Sequence, residues 1–358
     1  MTNYKAYKRT DGRWEVRIYS HCSGKRTYRS IYGRTKEAAE LKARKLVQPC
    51  EEYAVTEMTV KQMSEEYISV KTPLLKASTV SNYSMKLKTH IIPTLGDIAC
   101  CAIKPQNVYD LMNTMRKKKL SERYISDVVV LFKSILRYAN ITYGIKNNTS
   151  GIIMPKRIKP EIKVLSDKEQ TRLRVYIDRN PSLSTLGVSI SLYTGIRIGE
   201  LCALQWKDID LEKRVLTVRK TIQRIQTNDG NKRTKLIITE PKSHSSIRMV
   251  PIPECLIDKL KKFANAPNKY VLSGTEKPVE PRTMQYRFAS IIKNANLPSV
   301  HYHSLRHAFA SSCVAIGFDV KTLSEILGHS SVELTLNRYI HSSFDRKKSF
   351  MDKLTWAA

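Results

Sequence analysis

Four polar clusters stand in the C-terminal half of the 358-residue chain: TGIRIGE (194–200), EPKSH (240–244), HYHSLRH (301–307), and LGH (327–329) with a tyrosine ten residues after its histidine. Singly, each has an ordinary explanation. An arginine on a helix is usually solvated or ion-paired, a lysine in a Pro-Ser turn is usually a turn residue, and one tyrosine among 18 at a helix end is usually packing. Together, these residue types match the needs of moving a phosphodiester onto an oxygen nucleophile. That reaction passes through five-coordinate phosphorus with extra negative charge on two non-bridging oxygens, where guanidinium forks bind bidentately. Arginine suits the task better than lysine because its donors are planar and its charge is permanent. A phenol has a reference pKa of about 10, so about one in a thousand is ionised at pH 7, and roughly 4 kcal/mol must come from proton removal or a positive field. The leaving hydroxyl needs a proton, which a lysine with a pKa lowered by nearby cations can supply.

The composition points to an anionic partner. With 41% hydrophobic and 26% charged residues the chain is an ordinary globular protein, long enough for two or three domains. Its 62 Lys and Arg against 32 Asp and Glu leave a net charge of +30, far beyond what solubility requires, and a polyanion is the natural partner. No run of about 18 apolar residues exists and MTNYKAYKRTDGRWEV lacks the apolar core of a signal peptide, so neither a membrane span nor secretion is expected; the predicted location is cytoplasmic. Cys22, Cys50, Cys100, Cys101, Cys202, Cys255 and Cys313 form an odd, scattered set with no C-x-x-C pair, which argues against a disulfide framework and a zinc ribbon. His303 and His307 would share a helical face, as metal ligands do. There is, however, no H-E-x-x-H, cysteine pair or carboxylate cluster nearby, so no metal is expected and His307 reads as a packed structural histidine.

The elements that must carry these clusters follow from periodicity. Strand-prone WEVRIY (14–19) and KRTYRSIY (25–32), a Ser-Gly turn and a helical KEAAELKARKLV (36–47) predict a small β-hairpin-plus-helix module over 1–50, where thirteen Lys and Arg face four Asp and Glu. Val60, Met63, Tyr67 and Ile68 fall at helical spacing, as do Val80, Tyr83, Leu87 and Ile91. Pro105 opens a third helix with Val108, Leu111, Met112 and Met115, and Ser121 caps a fourth with Ile125, Val128, Val129, Phe132, Ile135 and Leu136. These predict an all-α domain over 57–150. GIIMPKRIKPEIKVLSDKE (151–169), with two prolines and five basic residues, reads as a linker over 151–165 ending at a Ser166/Glu169 capping box. From 166 to 358 helices surround one small antiparallel sheet of RVLTVRK, KLIIT and IRMVPI, with TNDGN (227–231) turning between the first two and helices resuming near Thr283, an α+β domain.

The order R-x-x-E, Lys in a β-turn, H-x-x-R, G-H, then Tyr resembles the tyrosine recombinase (phage integrase) family, and TGIRIGELCALQW, HSLRHAFAS and LGHSSVELTLNRYIH resemble its strings. The small N-terminal module and PKSHSSIRMVPI resemble integrases of Gram-positive conjugative transposons and related phages. The resemblance covers nearly the whole chain. It implies a multidomain fold: an arm-type DNA-binding module at 1–50, a helical core-binding (SAM-like) domain at 57–150, and a catalytic domain with a C-terminal tail at 166–358. By position it implies Arg197 and Arg306 as the arginine pair, Lys242 in the turn between the second and third strands, His303 and His329 as the histidines, Tyr339 as the nucleophile, and Glu200 as support for Arg197. The family admits His or Trp at the position of His329, and its spacing to the tyrosine varies by a residue.

What the resemblance implies is a site-specific recombinase that integrates and excises a mobile element through a covalent 3′-phosphotyrosine. The broken bond's energy is conserved there, so neither metal nor ATP is needed and no cofactor is expected. The implied partners are double-stranded DNA at core and arm sites, three further copies in a synaptic homotetramer of a chain that is monomeric or weakly associated when free, and accessory excision or DNA-bending proteins. A type IB topoisomerase shares the chemistry but would relax supercoils without exchanging strands between sites, and a catalytically idle DNA-binding regulator would lack part of a residue set that is complete here.

Binding through so many cations predicts affinity that falls linearly in log–log terms with salt, by about 0.9 per phosphate neutralised; a salt-insensitive dissociation constant in a titration would contradict it. SFDRKKSFMDKLTWAA (343–358) places Phe350, Leu354 and Trp356 beyond the tyrosine, roughly a helical turn apart, and such tails are commonly donated to a neighbouring protomer. Deleting 348–358 is expected to damage cooperative assembly in gel-shift titrations more than single-site binding; equal loss of both would count against exchange.

Overall fold

Caps and apolar spacing account for most elements of the computed structural model, which describes residues 6–9, 12–22, 25–47, 58–147, 149, 151–156, 163–227, 234–240, 247–329, 331–339, 348 and 351–352. Two units arise: residues 1–75 with 83–158, and 76–82 with 159–358. The Ser-Gly turn, the 227–231 turn beyond Thr227, residues 157–162 of the linker and nearly all of the tail lie outside the described residues.

In the first unit β1 (Ala6–Lys8), β2 (Trp14–Cys22) and β3 (Lys25–Gly33) form an antiparallel meander in that order. Val16 pairs with Ala6 on one side and Ile31 on the other. Helix α1 (Lys36–Val47) comes so close to the end of β3 that a side chain at Gly33 would strike the backbone of Ala39 at 2.4 Å. Val16, Ile31 and Ala39 form the small core, with Ala6 and Trp14 against it. Sequence periodicity misses β1, which has only three residues.

The all-α part follows its predicted stripes. Helix α2 (Val60–Lys71) starts at a capping box of Thr59 and Gln62. Helix α3 (Ala77–Lys86) continues through a π-helical turn, Leu87–Ile91, into α4 (Ile92–Leu95). Pro93 sits in that junction and has no N–H for the preceding turn, and the turn widens, with Ile92 N–H reaching back to Leu87. Pro105 opens α5 (Pro105–Lys117), and Ser121 caps α6 (Glu122–Tyr143) by accepting the N–H of Tyr124. All six predicted apolar residues of α6 are buried, with Phe132 and Ile135 fully enclosed beside Met63, Ile91 and Leu111.

In the second unit Ser166 and Glu169 close the predicted capping box of α7 (Asp167–Arg179). Helix α8 (Leu183–Thr194), which carries only small polar and apolar residues besides Tyr193, runs through the core and is packed by α7, α9 (Ile198–Ala203), α10 (Glu254–Phe263), α11 (Pro281–Asn294) and α12 (Ser304–Ala315). Behind it Tyr302 is wholly buried, its hydroxyl 2.9 Å from Ser191 Oγ and donating to Gly187 O, its ring edge-on to Phe288. The fold closes with α13 (Val320–Leu327) and α14 (Val332–Tyr339).

Two expectations about this unit are corrected. The single sheet is two: β4 (Ile209–Asp210), β5 (Val215–Val218) and β8 (Arg248–Pro251) pair antiparallel, whereas β6 (Thr221–Gln226) and β7 (Thr234–Thr239) form a separate hairpin. The charged Arg219–Lys220 step interrupts what looks like one long strand and sends β6 onto α9. Helix α10 goes unpredicted because only Leu256, Ile257 and Leu260 of its ten residues are buried, and five of the other seven are charged.

Phe132→Ala empties a ring-sized space in the α6 core, where Phe132 is fully buried, and is expected to cost about 3–5 kcal/mol of unfolding free energy. Urea unfolding followed by far-UV circular dichroism checks this, and a loss below about 1 kcal/mol would show that the core relaxes around the gap.

Candidate active site

The first cluster is shaped by its two glycines. Gly195 ends α8 in the left-handed region at φ 65°, and a side chain there would meet the Phe309 ring at 2.4 Å and Leu327 at 2.9 Å. Gly199 lets α9 lie on β6, since a side chain would press on Thr221 Oγ1 at 2.5 Å and Ile222 O at 2.8 Å. Between them Arg197 takes the extended N-cap conformation, and its N–H donates to Glu200 Oε2 at 2.9 Å. Its guanidinium donates through Nη1 to Glu200 Oε1 at 2.8 Å and through Nη2 to Gly328 O at 3.0 Å. With its side chain 37% exposed, Arg197 reaches solvent.

Glu200 is buried and also holds Arg248, whose Nη2 lies 3.0 Å from Oε2 and Nη1 3.3 Å from Oε1. Burial pulls the Glu200 carboxyl upward, but the Arg248 charge and hydrogen bond, followed by those of Arg197, outweigh it and leave the pKa below the ordinary carboxylate value. The carboxylate therefore stays ionised.

Arg306, in the first turn of α12, is 2% exposed and donates to Gly195 O at 2.8 Å and Leu327 O at 2.7 Å. Arg248 Nε donates to Ile326 O at 2.5 Å. Three arginines from α9, β8 and α12 thus take three successive carbonyls, Ile326, Leu327 and Gly328, at the C-terminal end of α13. Those carbonyls have no partner within the helix, and they carry the negative end of its dipole. The turn is made by Gly328, at φ 63°, with Gly328 N–H returning to Glu325 O and His329 N–H to Ser324 O.

His329 leaves this turn, and its Nδ1 lies 2.8 Å from the hydroxyl of Thr335, a fully buried residue of α14. Tyr339 is the last residue of the same helix, four positions on; its side chain lies outside the described residues. His303 stands exposed at the start of α12, three residues before Arg306, with His307 buried behind it, the two rings edge to face at 4.8 Å. Lys242 lies outside the described residues, in the segment between β7 and β8. The structure therefore gathers Arg197, Glu200, Arg306 and His329 on one turn, and adds Arg248, which sequence reasoning does not pick out. The signal was present in the strand: Ile247 and Met249 face out at 44% and 71% exposure, while Arg248 shares the inner face with Val250. An arginine at the buried parity of a strand implies a buried anion.

Two guanidiniums on one carboxylate and a third on the same turn, with that of Arg197 open to solvent, make a positively charged cluster of fixed donors suited to an anionic phosphoryl group. Comparison with known proteins agrees. The model of the phage integrase family matches residues 163–346, more than half of the chain, and that of the phage integrase N-terminal SAM-like domain matches residues 59–116. A tyrosine recombinase XerC-like protein of Caldanaerobacter subterraneus is 27% identical, covering 99% of this chain and 98% of that protein. The transposase of transposon Tn916 from Enterococcus faecalis is 28% identical over 53% of this chain and 51% of its own length. Among solved structures, the Tn1549 transposon integrase in complex with transposon right end DNA superposes with a TM-score of 0.69 at 23% identity, over 83% of this chain and 99% of that one. A lambda integrase dimer on a core site gives 0.60 at 16% identity, over 99% and 96%. The chain, with the family's model running through the whole arginine cluster and α14, belongs to the phage integrase family of tyrosine recombinases.

Proposed function

We infer that the chain is a site-specific DNA recombinase of a mobile element, and that it cuts and rejoins DNA through Tyr339. The observation that carries the assignment of roles is the turn at the end of α13: it ties Arg197 and Arg306 to one another through adjacent carbonyls and passes directly into His329, which is bonded to the helix that ends in Tyr339. In this reading Arg197 and Arg306 bind the non-bridging oxygens of the scissile phosphate, and His303 and His329 add hydrogen bonds to it. The Tyr339 phenol gives its proton to His303 as its oxygen attacks phosphorus, forming the phosphotyrosine bond while the bond to the deoxyribose 5′ oxygen breaks, and Lys242 supplies the proton that the 5′ oxygen takes up. Attack by another 5′-hydroxyl runs the sequence backwards and reseals the strand. Glu200 orients Arg197.

The module at 1–50 would grip arm sites and the helical domain at 57–150 would clamp core DNA with the catalytic domain at 166–358, joined by the 151–165 linker. Relatives support the partner class: one solved neighbour is a transposon integrase bound to transposon DNA, and another is a lambda integrase tetramer on a Holliday junction. We extend this to a synaptic homotetramer with tail exchange, assisted by accessory DNA-bending or excision proteins. No helix among the described residues is long and apolar enough to cross a membrane, and a cytoplasmic, nucleoid-bound location fits a DNA substrate.

Tyr339→Phe is expected to keep sequence-specific binding within about threefold, a change of roughly 0.7 kcal/mol, while abolishing the covalent protein–DNA adduct on a nicked suicide substrate. An adduct persisting in that variant would identify a different nucleophile; strand relaxation without joining between two sites would point to a topoisomerase.

A further inference from the structure

We propose that Arg248 is a positioning residue for strand transfer: it takes up the charge of Glu200, so that Arg197, which shares that carboxylate, keeps a net positive charge for the phosphate. The proposal rests on the recombinase reading given above.

In this proposal Arg248 acts through Glu200, the carboxylate it shares with Arg197, rather than on DNA. Its side chain is 6% exposed, and all three of its guanidinium nitrogens are engaged, Nη1 and Nη2 on Glu200 and Nε on Ile326 O. One planar fork thereby joins β8 to α9 and to the turn that leads into His329, a geometry a lysine could not reproduce. Glu200 is equally committed: Oε1 receives Arg197 Nη1 and Arg248 Nη1, and Oε2 receives the Arg197 N–H and Arg248 Nη2.

The consequence is electrostatic. A buried carboxylate paired with Arg197 alone would form a neutral couple, and Arg197 would present a dipole rather than a charge to the phosphoryl oxygens. With Arg248 also on the carboxylate the trio carries one net positive charge, and Arg197, the partly exposed member, is where that charge meets solvent. Interactions are weakly screened at such buried positions, so a group that never touches the substrate can set the field at it. Removing Arg248 while Glu200 remains charged leaves a buried anion with half its compensation.

The test is a mutant cycle read on full-length protein, with single-turnover adduct formation on a nicked suicide substrate set against gel-shift affinity for the same DNA. Arg248→Met is expected to slow adduct formation at least tenfold while affinity changes less than threefold. The same substitution made in a Glu200→Gln chain, where no charge needs offsetting, is expected to slow it less than threefold relative to Glu200→Gln alone. If Arg248→Met does not fold but the double variant does and shows that small ratio, the uncompensated Glu200 charge is the cause and the proposal stands. Cleavage by Arg248→Met at the wild-type rate overturns it, as does an equal loss in both backgrounds or a loss of affinity that matches the loss of rate. Each of these outcomes requires an active wild type; absence of an adduct from the wild-type chain instead overturns the recombinase reading itself.

Discussion

The three carbonyls that end α13 are the constraint on which the site depends. A helix terminus always leaves its last carbonyls without intrahelical donors, and here Ile326, Leu327 and Gly328 are satisfied by Arg248, Arg306 and Arg197 in turn. Three long cationic side chains that would repel one another are thus fixed by dipoles that attract all of them, and their order in space copies the order of carbonyls along one turn. The glycines are part of the same solution. Gly328 makes the turn, and Gly195 lets Leu327 and Phe309 close over the end of α8 while giving its own carbonyl to Arg306. A side chain at Gly195 would push the α13 turn and Arg306 apart together.

Pre-organisation of this kind matters because the transition state of phosphoryl transfer asks for donors already in place rather than for new covalent partners. The arginines take backbone partners whose positions are set by packed helices, so little side-chain entropy is left for them to lose in the proposed phosphate complex. Glu200 gives the arrangement its sign discipline. Held below the ordinary carboxylate range by Arg248 and Arg197 against the opposing pull of burial, it remains an anion that fixes Arg197 without neutralising the whole cluster. The wider basic surface of the chain has a different task, because contacts to phosphates hold a protein on DNA without reading its sequence.

How much of this is legible in the sequence depends on where the partner atoms reside. Local interactions are readable: the Ser166/Glu169 capping box, the Ser121 cap and the six-residue stripe of α6 are all found where spacing predicts them. The polar clusters containing Arg197, Glu200, Arg306 and His329 are conspicuous too, and the fold brings them to one turn. What fails is a residue outside those clusters that is held by a backbone carbonyl far away in sequence, since every residue has a carbonyl and none advertises its use. Arg248 falls in this class, 78 residues from Ile326. The division of the sheet fails for a related reason: β5 and β6 follow one another with two residues between, and only their different pairing partners, β8 and β7, separate them.

The spacing of ten between His329 and Tyr339 also acquires a physical meaning. His329 is fixed at one end by the Schellman turn of α13 and at the other by its bond to Thr335. Thr335 and Tyr339 are four residues apart in α14, about 6 Å along the axis and on the same helical face. The imidazole therefore registers α14 about one turn before its last residue, and the register is transmitted by a helix rather than by a loop. Of the ten residues, the few between His329 and the start of α14 at Val332 can change in number without disturbing that last turn, whereas the interval from Thr335 to Tyr339 cannot, because one residue more or less rotates the tyrosine position by about 100° away from the face that carries the threonine. In the proposed mechanism, a histidine bonded into the helix that ends at Tyr339 thus links two tasks, contact with the phosphate and the register of that helix, through a single ring.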